Sequence, residues 1–147
     1  MSAQHDAGLR AVARVRGVRE TDSRIGLHQA LTEYRAAQDA VDELRRRMTA
    51  ADTFGSGSAA EFLALRESLR LLGEVLVAAE QQCAGTRTIS EAALAQWRHD
   101  KARLSAIELL LERRAAARRT EQARREAREL DELAAQRWLR ARTAGAA

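Results

Sequence analysis

Residues 62–111 read FLALRESLRLLGEVLVAAEQQCAGTRTISEAALAQWRHDKARLSAIELLL, and a strict seven-residue repeat runs through them. Its inward positions are Phe62, Leu65, Leu69, Leu72, Leu76, Ala79, Cys83, Thr86, Ser90, Ala93, Trp97, Asp100, Leu104, Ile107 and Leu111. Twelve of these fifteen are apolar, and no proline interrupts them. A 3.5-residue repeat keeps one stripe facing a partner helix when the two helices supercoil left-handedly. The fold class that follows is all-α, a coiled coil. A seam of this kind has no pocket, which favours protein binding over catalysis.

Working outward from the repeat, residues 55–58 form the Gly55-Ser56-Gly57-Ser58 cluster, a natural turn. Gly55 is placed to cap a preceding helix in the left-handed conformation. Ser58-Ala59-Ala60-Glu61 has capping-box form, in which Ser58 accepts from the Glu61 amide and Glu61 reaches back to the Ser58 amide. Upstream, a second set of heptads reads Leu27, Ala30, Tyr34, Ala37, Val41, Leu44, Met48 and Ala51, all apolar. Before residue 27 the pattern loosens into Leu9, Val12, Val15, Val18 and Ile25, with glycines at 17 and 26. A short connection makes sequential helices antiparallel neighbours. The expected architecture is therefore a single coiled-coil domain over residues 1–147, with helix 1 at about 5–53, a turn at 54–58 and helix 2 at about 59–142.

Placing Ala51 opposite Phe62 pairs Met48 with Leu65, Leu44 with Leu69, Val41 with Leu72 and Tyr34 with Ala79. The same pairing brings Gly26 and Ala30 near Cys83, Gly85 and Thr86, which predicts a thin waist or bend. The alternative is that these glycines only weaken the helices, by ~1 kcal/mol each. Arg16 falls opposite Trp97, either stacking on the indole for ~0.5–1 kcal/mol or leaving the tryptophan to close the thinning seam. Helix 1 runs out near residue 5, so helix 2 overhangs beyond Leu104 to Leu111 by roughly 30 residues, or ~45 Å at 1.5 Å each. The overhang carries a faint stripe of Ala116, Ala123, Ala127, Leu130, Ala134 and Trp138, out of step with the preceding heptads, so a phase change falls near residue 112. Such a helix is marginal alone; it is either a partner surface or a frayed end.

Composition agrees with long helices. Aromatics make up 3% of the chain, too few for a thick core, and charged residues 31%. Cys83 is the single cysteine, which excludes a disulfide framework, and its seam position points to packing rather than reactivity. No apolar run reaches the ~20 residues of a bilayer span and no signal-peptide core opens the chain, so a cytoplasmic protein is expected. The net charge is +4, and arginine supplies 24 of the 25 basic side chains, Lys101 being the exception. From Arg98 to Arg142 thirteen basic residues stand against eight acidic ones. Glu121, Glu126, Glu129, Asp131 and Glu132 interrupt the basic runs, the pattern of a solvated, salt-bridged face. That interruption, and the lack of aromatics interleaved with a basic strip, weigh against nucleic-acid binding. His5, His28 and His99 are scattered and meet no metal-ligand spacing. No phosphate loop, nucleophile elbow or zinc-peptidase motif occurs. No catalytic residue, cofactor site or metal site is expected.

The stretch Ala95-Gln96-Trp97-Arg98-His99-Asp100-Lys101-Ala102-Arg103-Leu104, followed by Leu109-Leu110-Leu111-Glu112-Arg113-Arg114, resembles the second helix of the FliJ family. Arg125-Glu126-Ala127-Arg128-Glu129-Leu130-Asp131-Glu132-Leu133-Ala134 is similar to that family's C-terminal end. Total length, a short first helix and a turn near residue 55 match as well. FliJ is the small soluble component of the flagellar type III export apparatus. The resemblance implies a stalk-like coiled coil that enters and promotes assembly of the hexameric export ATPase (FliI-like), contacts the membrane export gate (FlhA-like) and escorts export chaperones. It places the protein peripherally at the cytoplasmic face of the flagellar base, without insertion into the membrane; a homodimer is left open. By similarity the gate surface lies around Phe62, Leu69 and Leu72, although the heptads put all three on the seam. For the ATPase the candidates are Arg10, Arg14 and Arg16 on helix 1 with Arg125, Arg128, Asp131 and Glu132 on the overhang, each equally readable as part of a solvated charged face. The rival readings are a generic coiled-coil secretion chaperone or scaffold and, behind it, a basic nucleic-acid binder.

Overall fold

The computed structural model describes residues 2–51 and 55–144. Two helices account for nearly all of them, α1 (Ser2–Ala51) and α2 (Ala59–Ala144), and no strand occurs among the described residues. The helices pack against each other, and α2 is the longer at 86 residues against 50. The chain divides into two compact units, one made of residues up to Arg14 with those from Leu104 onward, the other of Val15–Arg103.

Within Val15–Arg103 the helices are antiparallel. Arg45 pairs with Glu80 at 2.7 Å while Trp97 bonds Glu20 at 2.9 Å, so numbers fall on α1 as they rise on α2. The heptad positions are the inward ones. Leu27, Ala30 and Val41 are buried, and Tyr34, Ala37, Leu44, Met48 and Ala51 are half-buried. On α2 the half-buried side chains are Leu65, Leu69, Leu72, Leu76, Ala79, Cys83, Thr86, Ala93, Trp97 and, outside the heptad positions, Leu94, with Ser90 and Asp100 buried among them. No described side chain falls below 2% exposure, the burial expected of a seam in which each residue meets only neighbours along the helix pair.

The expected pairing along the seam is corrected. Tyr34 shares a cleft with Cys83, Ala84 and Arg87, not with Ala79, and Trp97 meets Glu20 in place of Arg16. Partners on α2 thus lie four or more residues further along than expected. The reason is at the start of α2. Ala59 to Ala64 are exposed, Phe62 included at 44%, and the seam opens only at Leu65. The capping box itself is formed. The Ser58 amide donates to Glu61 Oε2 at 2.7 Å, the Glu61 amide donates to Ser58 Oγ at 3.3 Å, and the Phe62 amide donates to the Ser58 carbonyl at 3.1 Å. The Ser58 backbone and hydroxyl bonds hold the Glu61 carboxyl below its ordinary range. Gly55 does not take the left-handed conformation, so it is not the expected cap. Positions 52–54, part of the expected helix end and turn, lie outside the described residues.

Gly26 and Gly85 are exposed, and a Cβ built on either meets nothing within 4 Å. They permit no close approach of the helices, so the waist expected from them is not supported.

In the other unit, Asp6, Leu9 and Ala13 are the inward positions of α1, and Leu104, Ile107, Leu111 and Ala115 those of α2. Asp6 is tied to Arg114 and Arg118. Cover on α2 therefore reaches Arg118, further than the expected limit at Leu111. The step from Leu111 to Ala115 is four residues where the heptad calls for three, and Ala116 is exposed. That is the phase change near residue 112. From Ala116 to Ala144 every residue is exposed.

Candidate functional site

No group of three or more His, Cys, Asp or Glu able to hold a metal occurs among the described residues. No helix among the described residues is long and apolar enough to cross a membrane. Two polar clusters lie on the seams, one around Glu20, Trp97 and Asp100, the other around Asp6.

In the Val15–Arg103 unit the repeat does not loosen before residue 27. It continues as Ser23, Glu20 and Arg16, all half-buried. The apolar residues of this stretch face the other way: Val15, Val18 and Ile25 are 58%, 62% and 60% exposed. Polar side chains on a seam must find partners, because an unmatched buried group costs ~1–3 kcal/mol. Most do. Trp97 Nε1 donates to Glu20 Oε1 at 2.9 Å, and Gln96 Nε2 donates to Asp100 Oδ2 at 2.9 Å. The Gln96 bond first, then those from Ser23 and the charges of His99 and Arg103, hold the Asp100 carboxyl below its ordinary range against the opposing effect of burial. Arg16 Nη1 is the exception, buried with no hydrogen-bond partner among the described residues. The cation over the Trp97 ring is Lys101, 4.9 Å from the centroid, and not Arg16. Polar side chains on a seam fix register at a cost in stability, and this cluster has that form.

The same unit carries a shallow cleft of about 400 Å³ lined by Tyr34, Val41, Cys83 and Arg87 and bridged by the Arg45–Glu80 pair. Cys83 is a free, half-buried thiol there. Of the expected gate residues, Leu69 and Leu72 are on the seam, as their heptad positions require, and Phe62 is exposed with Leu63 beside it at 62%.

In the unit containing both ends of the chain, Asp6 is 3% exposed. Arg114 reaches its Oδ1 at 3.4 Å, and Arg118 holds its Oδ2. Burial by itself pushes the Asp6 carboxyl up; hydrogen bonds and charge from Arg118, then Arg114, outweigh it and hold the group below the ordinary carboxylate range. A buried carboxylate gripped by two guanidinia fixes the start of α1 on α2. Arg10 and Arg14 are exposed beside it. Arg125, Arg128, Asp131 and Glu132 are exposed as well, and Arg125 pairs within its own helix with Glu121 at 3.3 Å. Among the described residues no hydrogen bond or ion pair joins the α1 arginines to these α2 residues. Arg16 belongs to the other unit and to its seam.

Sequence reasoning passed over Asp6, Arg114, Arg118 and Glu20. The signal was present: the 3-4 spacing that runs from Ala51 back to Leu27 continues through Ser23, Glu20, Arg16, Ala13 and Leu9 to Asp6. It was hidden because a search for apolar periodicity discards polar residues.

A family model described as Flagellar FliJ protein matches residues 5–143, nearly the whole chain. No curated protein and no solved structure matches it.

Proposed function

The chain belongs to the FliJ family and so to the flagellar export apparatus, and we propose that within it the protein is the stalk and adaptor of the export ATPase. In this reading α1 and α2 act without a catalytic residue of their own. The end carrying both termini enters the hexameric, FliI-like ATPase ring, promoting its assembly and turnover. An asymmetric helix pair in a ring of identical subunits makes their active sites inequivalent. The observation that carries the reading is the exposed run beyond Arg118, residues 119–144, a long helix segment with no cover from the other described residues. Isolated helices gain most of their stability from a packed face, so a stretch of this length is a surface for a partner.

The ATPase contact is assigned to exposed Arg10 and Arg14 with Arg125, Arg128, Asp131 and Glu132. Arg16 contributes through the seam rather than by contact. The FlhA-like export gate is assigned to the start of α2, where Phe62 is the exposed member of the set with Leu69 and Leu72. Escort of export chaperones and a peripheral place at the cytoplasmic face of the flagellar base complete the reading.

The test is ATP hydrolysis by the export ATPase of the same organism, with and without this protein, while light scattering follows ring assembly. Faster turnover together with hexamer formation is the expected result. Unchanged turnover and assembly, with the helices verified by circular dichroism, would remove the stalk reading in favour of a secretion chaperone or scaffold.

A further inference from the structure

After Glu132 the sequence carries no acidic residue, and its basic residues are Arg137, Arg140 and Arg142. Among them stands Trp138, 56% exposed, with the Arg142 guanidinium 4.5 Å over its ring one turn along. Arg137 and Arg140 are exposed and have no ion-pair partner among the described residues. The preceding segment differs. There Arg119, Arg124, Arg125 and Arg128 stand among Glu121, Glu126, Glu129, Asp131 and Glu132, with Arg125 paired to Glu121 and Gln122 donating to Glu126 at 3.0 Å, so the two signs are mixed.

From this contrast we infer that Trp138, with Arg142 on its own face and Arg137 and Arg140 on the other sides of the same two turns, is the anchor by which α2 is held in its protein partner. The occupant is an apolar, aromatic-sized pocket edged with carboxylates on the export ATPase. The inference rests on the stalk reading and refines it. Binding energy concentrates in a few residues, with tryptophan and arginine foremost, surrounded by contacts that mainly exclude water. A lone aromatic among unpaired guanidinia has that form, and its charge calls for an acidic surface. A lipid surface fits less well. Adsorption needs a broad apolar face, and here Glu129, Asp131 and Glu132 lie about two turns before the tryptophan while Leu139 stands next to it on a different side of the helix. The mixed-charge run 121–132 then sets orientation, and the tryptophan sets residence time.

The test uses the full chain and the export ATPase of the same organism, with affinity measured by titration at two salt concentrations. Trp138→Ala should weaken binding about 30-fold or more, and Trp138→Phe should restore most of it. The triple variant Arg137→Gln, Arg140→Gln, Arg142→Gln should weaken binding about tenfold at low salt and flatten its salt dependence. Arg125→Gln with Arg128→Gln should change affinity by less than Trp138→Ala does. All these side chains are exposed, so each variant should keep the wild-type melting curve. Wild-type binding with Trp138→Ala unchanged overturns the anchor and leaves the stalk reading standing. No binding by the wild-type chain overturns both. Trp138-dependent binding to vesicles of anionic phospholipid or to duplex DNA, with ATPase affinity indifferent to Trp138, overturns the protein pocket as the occupant.

Discussion

Leu27 and Ile25 sit two residues apart on α1, are nearly equal in size, and should respond very unequally to truncation. Leu27 is 9% exposed and Ile25 60% exposed. Burying a leucine or isoleucine side chain fully is worth ~1.5–3 kcal/mol, and an unfilled cavity adds to the loss. Leu27 realises nearly all of that, while a two-helix seam can partly close over the gap, so Leu27→Ala should cost ~2–3 kcal/mol. Ile25 realises well under half, or roughly 0.5–1 kcal/mol. Alanine recovers a few tenths through its better helix propensity, so Ile25→Ala should fall near zero, within ~0.5 kcal/mol. At ~2–4 °C per kcal/mol for a chain of this size, thermal melts followed at 222 nm should drop by about 5–10 °C for Leu27→Ala and by 2 °C or less for Ile25→Ala. Equal losses, or a larger loss for Ile25→Ala, would refute the inward register of α1 and with it the polar seam derived from that register.

Other outcomes follow from the same geometry. Ser58→Ala removes the cap that receives the Glu61 amide and should cost about 1 kcal/mol, read as a drop in Tm without change in the helical signal at low temperature. Arg16→Leu replaces a guanidinium with an unpartnered buried nitrogen by an apolar heptad side chain, so Tm should rise, by the equivalent of about 1 kcal/mol; a fall would show that Arg16 has a partner on the seam. Asp6, Asp100, Glu43 and Glu67 all have carboxyls held below their ordinary values, Glu43 by Arg47 and Arg46 and Glu67 by Arg70. Groups depressed on folding contribute stability above the ordinary carboxylate range and lose it as pH falls through their folded values, so Tm should decline on acidification below about pH 4–5 and Asp6→Asn should flatten that decline. A Tm that rises on acidification would contradict these pairings.

The fold was legible because helix periodicity is local. Leu27 to Ala51 and Leu65 to Leu111 lie inward where their spacing puts them, and the Ser58–Glu61 box forms as written. Pairing between the helices was not legible, because every heptad shift preserves the stripe. Only specific contacts, Trp97 with Glu20 and Arg45 with Glu80, distinguish one shift from the next. The polar seam was missed for a different reason. Arg16, Glu20 and Ser23 hold heptad positions that a search for apolar residues skips, while Val15, Val18 and Ile25 drew attention to the exposed side. The site was legible only in outline. Mixed charge along a helix reads equally as a solvated face and as a partner surface, and which arginines are paired depends on ion pairs such as Arg125–Glu121 that spacing suggests and only coordinates identify.

The stalk reading is tested most directly by electron microscopy of the export ATPase assembled with this chain and nucleotide. The account predicts one copy per ring, its helix pair within the central opening and the segment carrying Trp138 inside. Copies bound around the outer surface, or one on every subunit, would contradict it.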